Sequence, residues 1–262
     1  MKPLIVKLGG SVITDKCKRF SVKRAVLRRL GRELTVAKGP LIVVHGGGSF
    51  GHPLALKYKI TSGYKSKGQL MGLTLTHRAM ELLNSYVIEA LQNAGAPAIA
   101  VQASGCTIVS GGRIKSMEIK PIKRMLALGL VPVLYGDVVL DVKRGINILS
   151  GDQIVAFLAR RLRASRVIMG SNVDGVYAGG SEGKNRAKLM RKITPKNVKL
   201  VASLGVDGPN DVTGGMRNKV LELVKLARMG IESKIVNALK PNVLKKEIQR
   251  KQVVGTKISW RR

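Results

Sequence analysis

Acidic residues are scarce in this chain: 15 Asp plus Glu stand against 47 Lys plus Arg in 262 residues, a formal charge of +32. An imbalance of that size first suggests a polyanionic partner, because clustered cations gain affinity by releasing counterions from phosphates. Aromatic residues are also few, 3% of the chain with a single Trp, so the stacking surfaces that single-stranded nucleic acid requires are missing. The basic residues are spread over nearly every predicted helix rather than gathered into one patch. We read them as a solvated surface, with loose polyanion binding at low salt as a side effect, and expect no specific nucleic-acid partner.

Cysteine occurs twice, at Cys17 and Cys106, which is neither a disulfide framework nor a cluster of metal ligands. Long apolar runs are lacking too. The best, Leu126 to Tyr135, is broken by Gly129 and Pro132 and falls well short of the roughly 18 residues of a membrane span. Met1 to Gly10 carries Lys2 and Lys7 within its apolar stretch and shows no secretory signal core. These absences point to a cytoplasmic protein with no membrane partner. What is present is apolar material for a core: 45% hydrophobic residues exclude disorder as the main state, and the length suits one large domain or two small lobes.

Apolar runs of strand length recur at Leu4 to Leu8, Leu41 to Val44, Ala98 to Val101, Val131 to Leu134, Val167 to Met169 and Lys234 to Val236. Between them, Val22 to Ala37, Leu73 to Asn93, Ile119 to Leu128, Gln153 to Arg163 and Met216 to Met229 space their apolar residues by three and four, which predicts helices. The alternation predicts an α/β fold with a mostly parallel sheet covered on both faces, whose ligand sites lie at the carboxyl ends of strands. Glycine turns occupy those ends: Gly9-Gly10-Ser11, Gly46-Gly47-Gly48, Gly136-Asp137 and Gly170-Ser171-Asn172. Tyr177 to Arg191, rich in Gly, Lys and Arg, reads as a mobile loop.

Gly46 to Gly51 satisfies the spacing of a dinucleotide loop, yet no acid occurs between Glu33 and Glu81 to hold a ribose. His52-Pro53 stands where a P-loop requires Lys and Ser or Thr. The glycines retain a simpler capacity, to bring backbone N–H groups close to an anion at the start of a helix. A lone glycine triplet is more often a tight turn; the matching turns elsewhere and His52 just beyond, able to donate to the same anion, favour a phosphate or carboxylate guest. Lys7 at a strand end, Lys16 in the next loop and Lys219 after Thr213-Gly214-Gly215 gain weight only from lying beside glycine turns. Asp152 after Ser150-Gly151 suits a helix cap, or an acid that orients lysines around a transferring phosphoryl group. Asp174-Gly175 is a turn or a nucleotide contact, and His45 and His77 have no assigned part.

Taken together, VKLGGSVITDK (6–16), VHGGGSFGH (44–52), SGDQIV (150–155), SNVDGVY (171–177) and DVTGGMRNK (211–219) resemble, in order and spacing, the amino acid kinase family over essentially the whole chain. HGGGSFGH with its terminal histidine resembles most the archaeal-type isopentenyl phosphate kinases within it. The resemblance implies a three-layer αβα sandwich without a Walker loop, in which residues 1–165 bind the acceptor phosphate and 166–262 bind ATP with Mg2+. It further implies a homodimer that phosphorylates isopentenyl phosphate to isopentenyl diphosphate. By the same likeness, Lys7, Gly9, Gly10 and Ser11 contact the ATP phosphates, with Gly47, Asp174, Gly175, Gly215 and Lys219 also on the nucleotide. Lys16 would stabilise the transferring group, Asp152 organise the lysines, and Gly46, Gly47, Gly51, His52 and Gly151 surround the acceptor phosphate. Met80 and Leu83, placed on the helix after the glycine loop, are expected to line the acceptor's apolar tail with Val138 and Ile148. Gln153 and Asn172 depart from the acids many relatives carry there. The rival readings are a fosfomycin, acetylglutamate or uridylate kinase of the same family, and a polyanion-binding protein without catalysis.

Overall fold

The computed structural model describes residues 2–15, 17–178, 188–203 and 215–260. Its strands are β1 (Leu4–Leu8), β2 (Leu41–His45), β3 (Ala98–Ala100), β4 (Thr107–Ser110), β5 (Arg113–Met117), β6 (Val131–Tyr135) and β7 (Asp137–Asp141). After these come β8 (Gly145–Leu149), β9 (Arg166–Ser171), β10 (Val176–Ala178), β11 (Lys188–Met190), β12 (Lys192–Ile193), β13 (Ser233–Asn237) and β14 (Thr256–Ile258). The helices are α1 (Gly10–Ile13), α2 (Arg24–Leu34), α3 (Gly48–Lys57), α4 (Gly68–Gln92), α5 (Lys120–Ala127), α6 (Gly151–Arg161), α7 (Gly215–Arg228) and α8 (Val243–Ile248).

Eight of the described strands form the main sheet in the order β12-β14-β13-β9-β1-β2-β6-β3. The stretch from β13 through β3 is parallel; β14 joins β13 antiparallel, and β12 lies parallel to β14 at that edge. β1 pairs with both β2 and β9, so the sheet runs unbroken across position 165. Strand alternation explains the two apolar layers. Ile5, Ile42, Val44, Leu134, Val167 and Met169 face one side, packed on Ile154, Val155 and Leu158 of α6, Ile122 of α5 and Leu223 of α7. Val6, Leu8, Val43, Val133 and Ile168 face the other, against Leu27 and Leu30 of α2, Phe50 of α3, Leu83 of α4 and Leu244 of α8. Each such fully buried side chain stabilises the fold by about 1.5–3 kcal/mol relative to exposure.

The six sequence-predicted strands and five helices are present, with ends moved by a few residues; the fourth helix begins at Gly151 and the second at Gly68. The sequence pattern missed a second, four-stranded sheet, β5-β4-β7-β8. Its strands are short and carry polar or charged residues at half their positions, as in Arg113-Ile114-Lys115-Ser116-Met117, so no apolar run marks them. Tyr177 to Arg191 is also not loop throughout: β10 and β11 pair antiparallel at its two ends, Tyr177 opposite Leu189.

Candidate active site

The carboxyl ends of the central strands are stitched into one rim by backbone hydrogen bonds between successive glycine turns. Gly9 N–H donates to the Gly170 carbonyl (2.9 Å), Gly46 to Leu8 (3.0 Å) and Gly136 to His45 (3.0 Å). Helices α1, α3 and α6 all start on this rim, at Gly10, Gly48 and Gly151. Their first N–H groups and dipoles make the rim attractive to anions. The turns after β1 and β2 touch backbone to backbone: a Cβ added to Gly10 would stand 2.7 Å from the Gly48 Cα and nearer still to its nitrogen. Glycine is therefore required at Gly10 by the neighbouring turn itself, beyond any ligand.

Lys7 is the buried cation of this rim. In β1 it takes the same side as Ile5, toward α6, and its Nζ donates to Asp152 Oδ1 at 2.5 Å. Gly151 leaves the way open, since a Cβ there would lie 3.2 Å from Lys7 Cε. Lys219, in the second turn of α7, brings its Nζ to 3.6 Å from Asp152 Oδ2. One carboxylate thus holds two ammonium groups from elements more than 200 residues apart in sequence. Asp152 also lies in the first turn of α6, where its amide donates to Ser150 Oγ at 3.2 Å. Burial would raise the Asp152 carboxyl, but the Lys219 and Lys7 charges outweigh it and hold the group below the ordinary aspartate value. Lys16 lies outside the described residues.

On the α3 side, Gly46 and Gly47 lead into the helix, and His52 sits half-buried in its second turn, with Gly51 buried beside it. Met80 lies directly under this loop: a Cβ on Gly51 would be 2.8 Å from Met80 Sδ, and one on Gly47 3.2 Å. Met80 and Leu83 belong to α4 rather than to the helix that follows the glycine loop, which is α3. Val138 and Ile148 are cross-strand partners in β7 and β8 and pack with Ala55 and Ile60 in a small apolar cluster beside α3. Met80 (1% exposed) and Leu83 (0%) are both core residues of the sheet-facing layer; Met80 is the one whose sulfur lies against Gly47 and Gly51.

On the nucleotide side expected from the sequence, Ser11 Oγ donates to Asn172 Oδ1 at 3.1 Å, linking the ends of β1 and β9. Asp174 is held by Lys240, 2.7 Å from its carboxylate, and by Asn237 Nδ2 at 3.1 Å; the Lys240 hydrogen bond depresses its carboxyl. Gly175 packs against β14, where a Cβ would come within 3.0 Å of the Thr256 nitrogen, so close strand packing accounts for it. Gly215 opens α7 with φ of +60°.

Sequence reasoning left two rim histidines unassigned, and the structure gives both partners. His45 is fully buried, stacked on Tyr135 (5.5 Å between centroids), with Nε2 3.1 Å from Asn84 Oδ1 and Nδ1 3.2 Å from the Gly46 carbonyl. Burial drives its pKa down to about 4, so the ring is neutral near pH 7. His77 Nδ1 lies 2.7 Å from Asp137 Oδ2, which also accepts from Ser104 Oγ at 2.7 Å, and His77 Nε2 reaches Glu81 at 3.4 Å. Burial pushes the Asp137 carboxyl up, with Ser104 and His77 opposing. The signal for Asp137 was its place in the glycine turn after β6; Ser104 and His77 carry none until the chain is folded.

The family model for the amino acid kinase family matches residues 2–237. The isopentenyl phosphate kinase of Methanothermobacter thermautotrophicus is 39% identical over 98% of this chain and 98% of its own length. That of Methanocaldococcus jannaschii is 35% identical, again over 98% of each. A solved isopentenyl phosphate kinase structure superposes with a TM-score of 0.86 at 38% identity, covering 98% of this chain and 100% of the other. A product complex of the Thermoplasma acidophilum enzyme gives 0.80 at 29% identity over 98% of this chain and 100% of that one.

Proposed function

The chain belongs to the amino acid kinase family, and from that premise we propose that it transfers the terminal phosphoryl group of ATP to isopentenyl phosphate, giving isopentenyl diphosphate and ADP. The observation that carries the reading is the pairing of Lys7 and Lys219 on Asp152, at a rim where three helices begin. Phosphoryl transfer demands alignment and charge neutralisation more than a covalent catalyst. Two ammonium groups and the amides of α1, α3 and α6 supply both.

The acceptor is a phosphate monoester whose terminal oxygen is already a competent nucleophile, so no strong general base is needed. In this reading Gly46, Gly47 and Gly51 surround the acceptor phosphate, which the Gly47 and Gly48 amides at the start of α3 and the His52 ring hold, with Gly151 across from them. Lys7, Lys219 and the turn of Gly9, Gly10 and Ser11 hold the donor phosphates. Asp152 never leaves its lysines: it keeps both ammoniums in place while the phosphoryl group passes between the two anions. Lys16 is proposed to meet that group from the next loop. Met80, Val138 and Ile148 supply the apolar wall for the acceptor's tail, while Asp174 and Gly215 lie toward the nucleotide. The acceptor is placed on 1–165 and the nucleotide on 166–262, with the donor phosphates reaching across to Lys7 and the Gly9–Ser11 turn.

A magnesium ion fits this site only as part of the nucleotide. Among the described residues no cluster of three His, Cys, Asp or Glu could cage one, and both Asp152 oxygens face ammonium groups. Triphosphate oxygens and water would hold it, as is usual for Mg2+, where it neutralises phosphate charge. We further propose a homodimer in the cytoplasm; Leu70, Met71 and Leu82, each more than 40% exposed on α4, offer an apolar face for a second copy. Among the described residues no helix is long and apolar enough to cross a membrane.

A coupled ADP-release assay tests the reaction. Isopentenyl phosphate is expected to exceed fosfomycin, acetylglutamate and uridylate in kcat/KM by orders of magnitude, and His52→Ala to remain folded but lose turnover. Preference for one of the other acceptors would overturn the substrate; full activity in His52→Ala would remove His52 from the mechanism.

A further inference from the structure

Away from the rim, the turn between β4 and β5 reaches both helices that carry the aspartate and the second lysine. Gln153, the residue after Asp152 on α6, donates its Nε2 to the Gly112 carbonyl at 3.0 Å. Arg113, the next residue of the hairpin, donates its Nη1 to Glu222 Oε1 on α7 at 2.6 Å. Glu222 lies three residues beyond Lys219, so the two share a face of α7 one turn apart. The hairpin therefore grips α6 beside Asp152 and α7 beside Lys219, on either side of the 3.6 Å pair.

The grip is braced at both ends. Asp141 of β7 accepts the Gly111 and Gly112 amides at 2.8 and 2.6 Å, together with Lys143 N, Arg144 N and Asn147 Nδ2. Glu222 also accepts from Lys225 at 3.0 Å, with its side chain 10% exposed. Burial raises its carboxyl, and Arg113 and Lys225 more than reverse that, so it stays ionised. A cleft of about 360 Å³, lined by Arg113, Asp152, Gln153, Asn218 and Glu222 among others, opens between the hairpin and the two helices. α6 and α7 pack on one another through Ile154, Leu158, Val220 and Leu223 of the shared apolar layer, and the polar links across the cleft fix them a second time, at the level of Asp152 and Lys219.

We propose that Glu222, Arg113 and Gln153 are positioning residues for phosphoryl transfer: through the β4–β5 turn they set where Lys219 stands relative to Asp152. They act on the reaction without touching it. This rests on the reading of Lys7, Asp152 and Lys219 as the cluster that handles the phosphoryl group. It also gives Gln153 a task in this chain, one that its amide nitrogen performs and a carboxylate in its place would not, since Gly112 O is an acceptor.

The test compares Glu222→Gln, Arg113→Met, their double variant and Gln153→Leu with the wild type, by steady-state kinetics and urea denaturation. Because a misplacement of about 1 Å costs on the order of a hundredfold in rate, we expect kcat to fall roughly tenfold or more in each. KM for isopentenyl phosphate should stay within about twofold, the double variant should fall no further than either single one, and Arg113→Lys should recover part of the loss. Unchanged kcat in folded variants overturns the proposal, as does a double variant whose loss is the product of the single losses. Calorimetry with AMP-PNP reads the same links without an acceptor: binding several-fold weaker in Glu222→Gln supports them, and equal binding counts against them. Should the wild type fail to phosphorylate isopentenyl phosphate, the substrate reading fails, while the AMP-PNP comparison still decides the positioning role.

Discussion

Replacing Gly10 by alanine tests the rim at its tightest point. The new methyl would stand 2.7 Å from the Gly48 Cα, whereas carbon atoms in contact settle at about 3.5–4.0 Å. The opposing atoms are backbone, so no side chain can swing aside, and the turns after β1 and β2 must part by roughly 1 Å. Overpacking of this kind costs about 1–3 kcal/mol. The turns are those proposed to hold the two reacting phosphates, and a displacement of about 1 Å between reactants costs on the order of a hundredfold. We therefore expect Gly10→Ala to lower kcat/KM about a hundredfold in the ADP-release assay and to lower the urea midpoint modestly. Gly68→Ala is the control: it opens α4 with no atom within 4 Å of the added Cβ and should keep full activity, with stability equal or up by about 0.5–1 kcal/mol. A Gly10→Ala protein with wild-type kcat/KM would refute the reasoning, even if its stability had dropped, because the turns would then be free to move without disturbing transfer.

Asp152→Asn should abolish turnover and destabilise the fold by about 3–5 kcal/mol, since it leaves two ammonium groups largely buried without their carboxylate; chemical denaturation and the same assay read both. His45 gives a pH signature: its pKa of about 4 when folded lies below the free value of 6.5, so the unfolded chain binds the proton more readily and stability falls as pH drops from about 6.5 toward 4. The loss from pH 7 to pH 4.5, about 2 kcal/mol by the usual conversion, should be absent in His45→Gln when unfolding free energies are compared at those two values. Asp141→Ala should cost about 1–3 kcal/mol by orphaning part-buried amides and speed hydrogen exchange at Gly111, Gly112, Lys143 and Arg144; unchanged protection there would show that the carboxylate does not hold the two turns.

Much of this arrangement is legible before folding, and what is legible shares one cause. A parallel strand covered on both faces must be apolar along its length and must end in a turn that frees its backbone, so Leu4–Leu8 and Leu41–His45 announce themselves and the glycines mark their ends. Lys7, Asp152 and Lys219 were readable as candidates because each adjoins such a turn. That Asp152 organises the lysines is what the family resemblance implies; the residues alone leave it open as a helix cap, because the meeting depends on Lys7 occupying the α6 side of β1 and on α7 packing against α6. The links from Arg113 to Glu222 and from Gln153 to Gly112 lie deeper still. They join a short, half-polar strand to two helix faces, and nothing periodic in Arg113–Met117 distinguishes it from loop. Met80 and Leu83 show a different limit. Apolar character marks a residue as core and as slot lining alike, and both are buried in the layer between α4 and the sheet; only the fold shows that the Met80 sulfur lies beneath Gly51.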